Sequence, residues 1–314
     1  MAHDPGYDKA LDIPWHAYRT WAGTARYLKA GLSRWTSLTL WLAIAGAVLA
    51  AAGQEFGAVK AFTNWPLAVK GVAILAAFTV ALSAYFGKEA LGGNKTADWS
   101  RARSAAESLK ALVFLYRAGV PPFDATDRED KLFGLVTAIE ENVATIEIRS
   151  APPDAKEPDL SPLTVDGYIA QRVDDQIRYY DKRAGEYQKA NDRLHNAVFC
   201  LGAVSVLLAV MAASGFVPAL VGLIATLTAS ISAHAQNQQY QALIVIYQAT
   251  SRRLLALKGE WSASHKCDAD TVARNAFIRS CEDAMALENG AWTGEWSRKT
   301  PAPAAARDAA APGG

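Results

Sequence analysis

The amino-acid sequence predicts an all-α membrane protein in which two transmembrane helical hairpins, four spans in total, are continuous with long cytoplasmic helices. Four nearly uncharged apolar segments approach the roughly 20 residues that a helix needs to cross a bilayer. Twice a charged stretch of helical character runs directly into such a segment, once at Trp35 and once at Ala197. The connection within each pair of segments is short, which favours hairpins.

The four predicted spans cover residues of about 36–53, 65–86, 197–214 and 216–235. The only Asp, Glu, Lys or Arg within them is Lys70 in the second span, and a lysine near a helix end can extend its ammonium group to the interface. A buried soluble bundle is the alternative, because several segments are short and rich in alanine. A surface helix of a soluble protein, however, shows polar residues at every turn.

Basic residues flank the outer ends of both hairpins, whereas the two tips offer only Lys60. Because loops rich in Lys and Arg stay on the cytoplasmic side, we expect a multi-pass protein of the bacterial inner membrane with both termini in the cytoplasm. The flanking residues are Arg26, Lys29 and Arg34, then Lys88, Lys95, Arg101 and Arg103, then Lys182, Arg183, Lys189 and Arg193, and finally Arg252 and Arg253.

The predicted order of elements occurs twice: approach helix, hairpin and amphipathic exit helix. We expect an N-terminal segment (1–14), a first two-span unit (15–149), a Pro-rich linker (150–163), a second two-span unit (164–298) and a disordered tail (299–314). Helical periodicity places apolar positions of two cytoplasmic helices on one side of each. These positions are Ala105, Leu109, Leu112 and Tyr116, and then Leu132, Leu135, Ile139 and Val143. Tyr168, Val173, Ile177 and Tyr180 mark the approach helix of the second unit.

Small and hydroxyl-bearing residues form stripes along the predicted spans. Gly222, Thr226, Ser230 and His234 follow one another at intervals of four in the last span, and the second span has Thr79 and Ser83 at compatible spacing. Such a stripe lines a narrow polar path in an oligomer or, alternatively, forms a close-packing seam between helices. His234 either gates that path through protonation or is an interfacial residue.

Four basic residues outside the spans are candidates for contact with an anion. Arg101, Arg103, Arg252 and Arg253 either bind anionic lipid headgroups or an anionic signal, or are solvated flanks of the spans. The acidic and basic residues from Asp174 to Arg183 suit pairing between neighbouring helices or protomers.

Several classes of function are not predicted. A net charge of +1 gives no basic face for nucleic acid. The sequence shows neither a phosphate-binding glycine loop nor a hydrolase or metalloprotease motif, so we expect neither an enzyme nor a bound cofactor. His265, Cys267 and Cys281 lack the paired spacing of a zinc site.

Three features of the second half occur together: the stretch from Tyr168 to Phe199, the tight hairpin after it and the helix that ends in Leu257–Trp261. The characteristic residues in these features are Arg172, Asp175, Gln176, Tyr179, Tyr180, Lys182, Ala184, Tyr247, Arg252 and Trp261. On these residues the second half resembles a SLATT domain, the SMODS- and SLOG-associating two-transmembrane effector.

The first half is similar to another subtype of that family, with Tyr18, Arg19 and Ala22 before the hairpin and Trp99, Arg103, Ala106, Glu107, Lys110 and Tyr116 after it. The resemblance implies an effector of bacterial conflict with phage that oligomerises and opens a pore or perturbs the membrane. It also implies activation by a nucleotide-linked sensor, which here would be a separate protein. A non-conducting membrane scaffold that recruits a soluble partner is the alternative, and an ion or solute carrier is a weaker third.

Overall fold

The computed structural model describes residues 9–58, 66–90, 93–149, 159–212, 218–264 and 268–297. Every regular element in these ranges is helical, which confirms the predicted all-α class. A 3-10 turn at Lys9–Leu11 precedes α1, and a π-helical turn at Ile169–Val173 separates α5 from α6. The helices are α1 (Asp12–Ala58), α2 (Pro66–Ala90), α3 (Gly93–Arg117), α4 (Arg128–Val143), α5 (Val165–Tyr168), α6 (Asp174–Ala212), α7 (Pro218–Gln238), α8 (Tyr240–Ala263) and α9 (Thr271–Ser297).

The two longest helices each combine charged and apolar sequence. Helix α1 has 47 residues and α6 has 39, and neither is interrupted where its charged part ends. The prediction that the charged approach helix continues into the apolar segment is therefore confirmed at both positions.

Three stretches of the described residues are long and apolar enough to cross a membrane: Lys9–Gln54, Leu67–Lys88 and Val165–Val210. Their most apolar 18-residue parts have mean hydropathies of 1.7, 2.0 and 1.7, and only 11%, 11% and 0% of these parts is buried. Helix α7 overlaps the predicted fourth span, but that span and the hairpin arrangement stay predictions. The connections at 59–65 and 213–217 lie outside the described residues.

The chain divides into two compact units, and each unit takes residues from both halves of the sequence. The first comprises Met1–Ala30, Gly93–Lys182 and Ile246–Gly314, and the second comprises Gly31–Gly92 and Arg183–Val245. We call them the polar unit and the apolar unit, because the second holds the predicted spans. The sequence-based domain boundaries themselves stay predictions, and the Pro-rich linker and the tail fall largely on residues that are not described.

The core of the polar unit follows most of the predicted apolar stripes. Tyr168, Val173, Ile177 and Tyr180 are all buried, as are Ala105, Leu109 and Tyr116 of α3. The prediction for α4 is partly wrong, because Leu135 is 39% exposed whereas Val136 is 3% exposed. Helix α4 buries Leu132, Val136 and Val143. Its buried side therefore includes Val136, four residues after Leu132, rather than Leu135, three residues after it.

Candidate functional site

Helices α1 and α2 of the apolar unit approach each other closely through small residues. A Cβ placed on Gly46 would lie 2.7 Å from Val80 Cγ2. Ser83, one of the predicted stripe residues, is 7% exposed and its hydroxyl donates to the backbone carbonyl of Thr39 at 2.9 Å. The Thr79 hydroxyl bonds back to its own helix, at 2.9 Å from the carbonyl of Leu75. Both hydroxyls therefore serve helix packing and backbone bonding in this pair.

Replacing Gly46 by valine is expected to destabilise the protein by about 1–3 kcal/mol, because overpacking forces neighbouring side chains and backbone to shift. The matched control is Gly71→Val, since no heavy atom lies within 4 Å of a Cβ at that position of α2. Thermal unfolding of both variants in detergent measures the difference. Equal melting temperatures for the two variants would contradict the close α1–α2 contact.

The stripe predicted in the last span lies on a side of α7 that the described chain leaves largely open. Gly222 and Thr226 are exposed, whereas Ser230 and His234 are half-buried. The Thr226 hydroxyl donates to the carbonyl of Gly222 at 2.9 Å, as expected for a threonine that satisfies itself within its helix. Because the described chain leaves Gly222 and Thr226 exposed and covers Ser230 and His234 only in part, the stripe stays a candidate for helix association or for a polar path.

The four predicted basic residues have different surroundings. Arg101 is exposed and bonds to Thr145 and to the backbone carbonyl of Asn142. Arg252 and Arg253 on α8 are exposed. The side chain of Arg103 is only 15% exposed and forms an ion pair with Glu288 at 2.8 Å, which favours a structural role for Arg103 over contact with lipid or signal.

A buried ionic network surrounds Arg172 in the core of the polar unit. Arg172 is 1% exposed, and its Nε and Nη2 donate to the two carboxylate oxygens of Glu282 at 3.0 and 2.9 Å. The Tyr168 hydroxyl donates to the same carboxylate at 2.9 Å. The guanidinium lies 5.2 Å from the ring centroid of Phe114 and 3.9 Å from a carboxylate oxygen of Glu107. This is the bidentate geometry in which an arginine–carboxylate pair is strongest and most specific.

The local backbone presents Arg172 to this network from the π-helical turn. Thr164 begins the preceding helix as its N-cap, since its side-chain oxygen accepts from the backbone N–H of Gly167 at 3.1 Å. The turn at Ile169–Val173 then changes the helical register by one residue just before α6. Ile169, Arg172 and Val173 of this turn are all buried. Such turns are frequent at functional sites.

Two more polar side chains extend the network toward α3. With its amide oriented to satisfy its neighbours, Gln176 accepts from Arg172 Nη1 at 3.2 Å and from Lys110 Nζ at 3.3 Å. Burial lowers the pKa of Lys110, and the nearby positive charge of Arg172 lowers it further. Two cations are thus held close together by a shared amide oxygen, with Glu107 and Glu282 among the compensating charges.

A second buried ion pair lies between α3 and α9. Arg103 Nη2 contacts Glu288, which is 3% exposed. Arg103 Nη1 lies 3.4 Å from the hydroxyl of Tyr247 in α8. Tyr180 also hydrogen-bonds to Glu288, and its ring lies 5.6 Å from that of Tyr247. Burial alone would lower the pKa of Arg103, but Glu288, Tyr247 and Tyr179 together outweigh that effect and raise it well above its ordinary value. Arg103 is therefore charged at every physiological pH.

The two clusters unite residues that carried the two sequence resemblances. Lys110, Glu107 and Arg103 come from the first half of the chain, whereas Arg172 and Tyr247 come from the second. Their acidic partners, Glu282 and Glu288, were missed by sequence reasoning. A signal for both existed, because they lie at helical spacing among the buried positions Ile278, Cys281 and Met285 of α9.

The network binds helices together within the polar unit. Breaking a buried ion pair by removing one partner costs several kcal/mol, whereas replacing both partners by apolar residues is often neutral. Such a network is therefore better suited to selecting one helix packing than to adding stability. A cavity of about 240 Å³ lies beside it, lined by Arg172, Glu282, Glu107 and small residues of α3 and α9.

The described structure does not support a metal site at His265, Cys267 and Cys281. His265 and Cys267 lie outside the described residues. Cys281 is buried, and burial raises the pKa of its thiol to about 12. Within the described part of the chain, no group of three or more His, Cys, Asp or Glu side chains is arranged to hold a metal ion.

Two parts of the chain match known protein families. Residues 168–292 match the model of the family described as SMODS and SLOG-associating 2TM effector domain 1, and residues 15–131 match that of a family of proteins of unknown function, DUF4231. No curated protein and no solved structure shows a match to the chain. The first match supports the SLATT resemblance of the second half. Because the first half matches a different family, a tandem pair of SLATT domains stays a prediction.

The SLATT match and the apolar helices together indicate a membrane protein. A two-transmembrane effector domain fits a membrane effector of conflict systems.

Proposed function

We propose that this protein is an effector of an anti-phage conflict system that oligomerises in the bacterial inner membrane and makes it permeable in response to a cytoplasmic cue. The observation that carries this proposal is the set of three long apolar stretches whose most apolar parts are at most 11% buried. Large apolar side chains on them face outward, including Leu67 at 83%, Phe199 at 77% and Val210 at 70% exposure. Soluble monomers do not expose apolar surface on this scale.

The lipid bilayer and further copies of the chain are the two surroundings that would cover these side chains. The family described as a two-transmembrane effector matches the region that contains α6 and α7, which supports these helices as two of the four spans. The open stripe on α7 offers glycine and hydroxyl groups at the spacing that membrane helices use for close association. In an oligomer, several such stripes would meet around one axis.

Coupling between a cue and the membrane would use the helices that belong to both units. Helices α1 and α6 each contribute residues to the polar and the apolar unit without a break. The buried ionic network would hold one packing of the polar unit and thereby a closed state. A separate nucleotide-linked sensor protein would shift the packing, since a ligand acts only through its different affinity for two states.

A non-conducting scaffold is the second candidate, and the α1–α2 pair favours it. In this pair the hydroxyls of Thr79 and Ser83 are already bonded to backbone carbonyls, so they leave no evident polar path between the two helices. A scaffold would need the apolar unit only as an anchor. The exposed arginines Arg101, Arg252 and Arg253 would then face a soluble partner or the lipid surface.

Expression of the intact protein in bacteria, followed with a voltage-sensitive dye, separates the two functions. We expect depolarisation with the natural sequence and its loss when Thr226 and Ser230 are both replaced by leucine, because leucine removes the small polar stripe. Thr228→Leu is the matched control, since Thr228 lies on the same helix about 200° from Thr226 and also bonds to its own helix.

The amount of inserted protein is measured for every variant in the alkali-resistant membrane fraction. Depolarisation that persists in the Thr226→Leu/Ser230→Leu double variant would contradict a path lined by this stripe. A preserved potential, together with stable capture of a soluble partner, would establish the scaffold instead.

A further inference from the structure

A buried arginine of the polar unit has an unused hydrogen-bond donor. Arg117, at the end of α3, is 6% exposed, and its Nε donates to the backbone carbonyl of Ser161 at 2.9 Å. Its Nη2 is buried and has no hydrogen-bond partner among the described residues. Burial lowers the pKa of Arg117, an effect that Asp159 only partly offsets. A buried donor left unpaired is rare and costly, so this nitrogen points to a missing acceptor.

Arg117 lines a cavity of about 260 Å³ together with two further arginines, Arg128 of α4 and Arg274 of α9. The guanidinium of Arg128 lies 4.7 Å from the ring centroid of Tyr116. The side chain of Arg274 reaches only long contacts, at 3.5 Å to the carbonyl of Gly119 and 3.4 Å to Asn275. None of the described residues that line this cavity is acidic. Three arginines from three helices therefore line one cavity, with Asp159 as the nearby opposite charge on Arg117.

A second, larger cavity of about 650 Å³ shares Gly119, Arg128 and Arg274 with the first. Its other lining residues include Phe123, Thr126 and Asn275. Asp124, which also lines it, is the one acidic group among its described residues. A ligand with an anionic head in the arginine cavity would thus have room for an organic part beside it.

We propose that the cavity formed by Arg117, Arg128 and Arg274 binds the phosphate group of a soluble phosphomonoester, with the organic part in the neighbouring cavity. Arginine matches phosphate oxygens with two parallel donors and remains charged. A rotation of the Arg117 side chain would bring its buried Nη2 to a phosphate oxygen, and the long contacts of Arg274 would be replaced by charge-assisted hydrogen bonds. A nucleoside monophosphate combines such a head with an organic part for the neighbouring cavity.

The test uses the full-length protein in detergent, titrated with sodium phosphate, with adenosine 5′-monophosphate and with phosphatidylglycerol at constant ionic strength. Binding is followed by calorimetry and by the melting temperature, which a ligand of the folded state raises. Arg274→Gln and Arg128→Gln are the test variants. Arg279→Gln is the matched control, because Arg279 lies on α9, is exposed and bonds to the carbonyl of Pro121, outside both sets of lining residues.

We expect phosphate or the monophosphate to bind the natural protein and the Arg279→Gln variant, with a dissociation constant at least about tenfold higher in each test variant, as the loss of a hydrogen bond to a charged group implies. Equal binding in all variants, or binding of neither soluble probe, would overturn the proposal. A response to phosphatidylglycerol alone would assign the cavity to a lipid headgroup and overturn the soluble ligand. Because binding is measured without conductance, the result is independent of the proposed function.

Discussion

Arg172→Ala is expected to lower the free energy of unfolding of the polar unit by about 3–5 kcal/mol, because it leaves the Glu282 carboxylate buried without its partner. The two donor atoms that hold this carboxylate at 2.9 and 3.0 Å disappear together. Tyr168 supplies one remaining hydrogen bond, which cannot compensate a full negative charge in the core. Denaturant titration of the detergent-solubilised protein, followed by tryptophan fluorescence, measures the loss.

Arg178→Ala provides the matched control for that substitution. Arg178 lies on α6, its side chain is 69% exposed, and it pairs with Asp175 at 3.4 Å. An exposed pair of this kind contributes roughly 0–1 kcal/mol. The double variant Arg172→Met/Glu282→Leu should recover most of the stability, since both charges leave the core. If Arg172→Ala proved no more destabilising than Arg178→Ala, the claim that Arg172 and Glu282 form a buried ion pair would be contradicted.

Arg103→Gln is expected to increase depolarisation of cells at equal levels of inserted protein. Arg103 joins α3, from the first half of the chain, to Glu288 of α9 and Tyr247 of α8, from the second half. If this junction holds the closed state, its loss shifts the population toward the open state; a shift of 1.4 kcal/mol already changes the ratio about tenfold. The voltage-sensitive dye used for the natural protein measures the shift.

The matched control for Arg103→Gln is Arg101→Gln, two residues away on the same helix. Arg101 is exposed and its contacts are with Asp98, Thr145 and the backbone of Asn142, so its removal leaves the α3–α9 junction intact. Arg103→Gln/Glu288→Gln, which removes both charges, distinguishes release of the junction from the cost of an unpaired carboxylate. Equal depolarisation by Arg101→Gln and Arg103→Gln would contradict a closed state held at this junction.

Features that depend on local sequence were predictable. Charge composition and helical period placed the transition from charged to apolar sequence inside α1 and α6, and they identified Tyr168, Val173, Ile177 and Tyr180 as core positions. These properties are encoded within a few turns of one helix. The i+3 and i+4 positions of α4 were harder to distinguish, because both fall on the same side of a helix.

Features that depend on distant pairing were not predictable from one sequence. Glu282 pairs with Arg172 across 110 residues and Glu288 with Arg103 across 185 residues. A count of basic residues near a span predicts that Arg103 is a solvent-exposed flanking residue, because the count carries no information on burial. The same holds for Arg117, whose buried and unpaired nitrogen is visible only once α3 is packed.

The π-helical turn at Ile169–Val173 left only a weak signal in the sequence. Tyr168 and Val173 are five residues apart, which in a regular α-helix would place them about 140° apart, yet both are buried. Only the packed structure shows that this turn holds Arg172 within reach of Glu282. The pairing of Arg172 with Glu282 is therefore set by tertiary structure rather than by local pattern.

Ion efflux from liposomes that contain the purified full-length protein tests the central claim most directly. The proposal predicts that the Arg103→Gln variant releases entrapped potassium and that adding Thr226→Leu and Ser230→Leu abolishes the release, with Thr228→Leu leaving it unchanged. Vesicles that stay tight to potassium, although the Arg103→Gln variant is folded and inserted in them, would contradict a conducting effector and leave the membrane scaffold as the function.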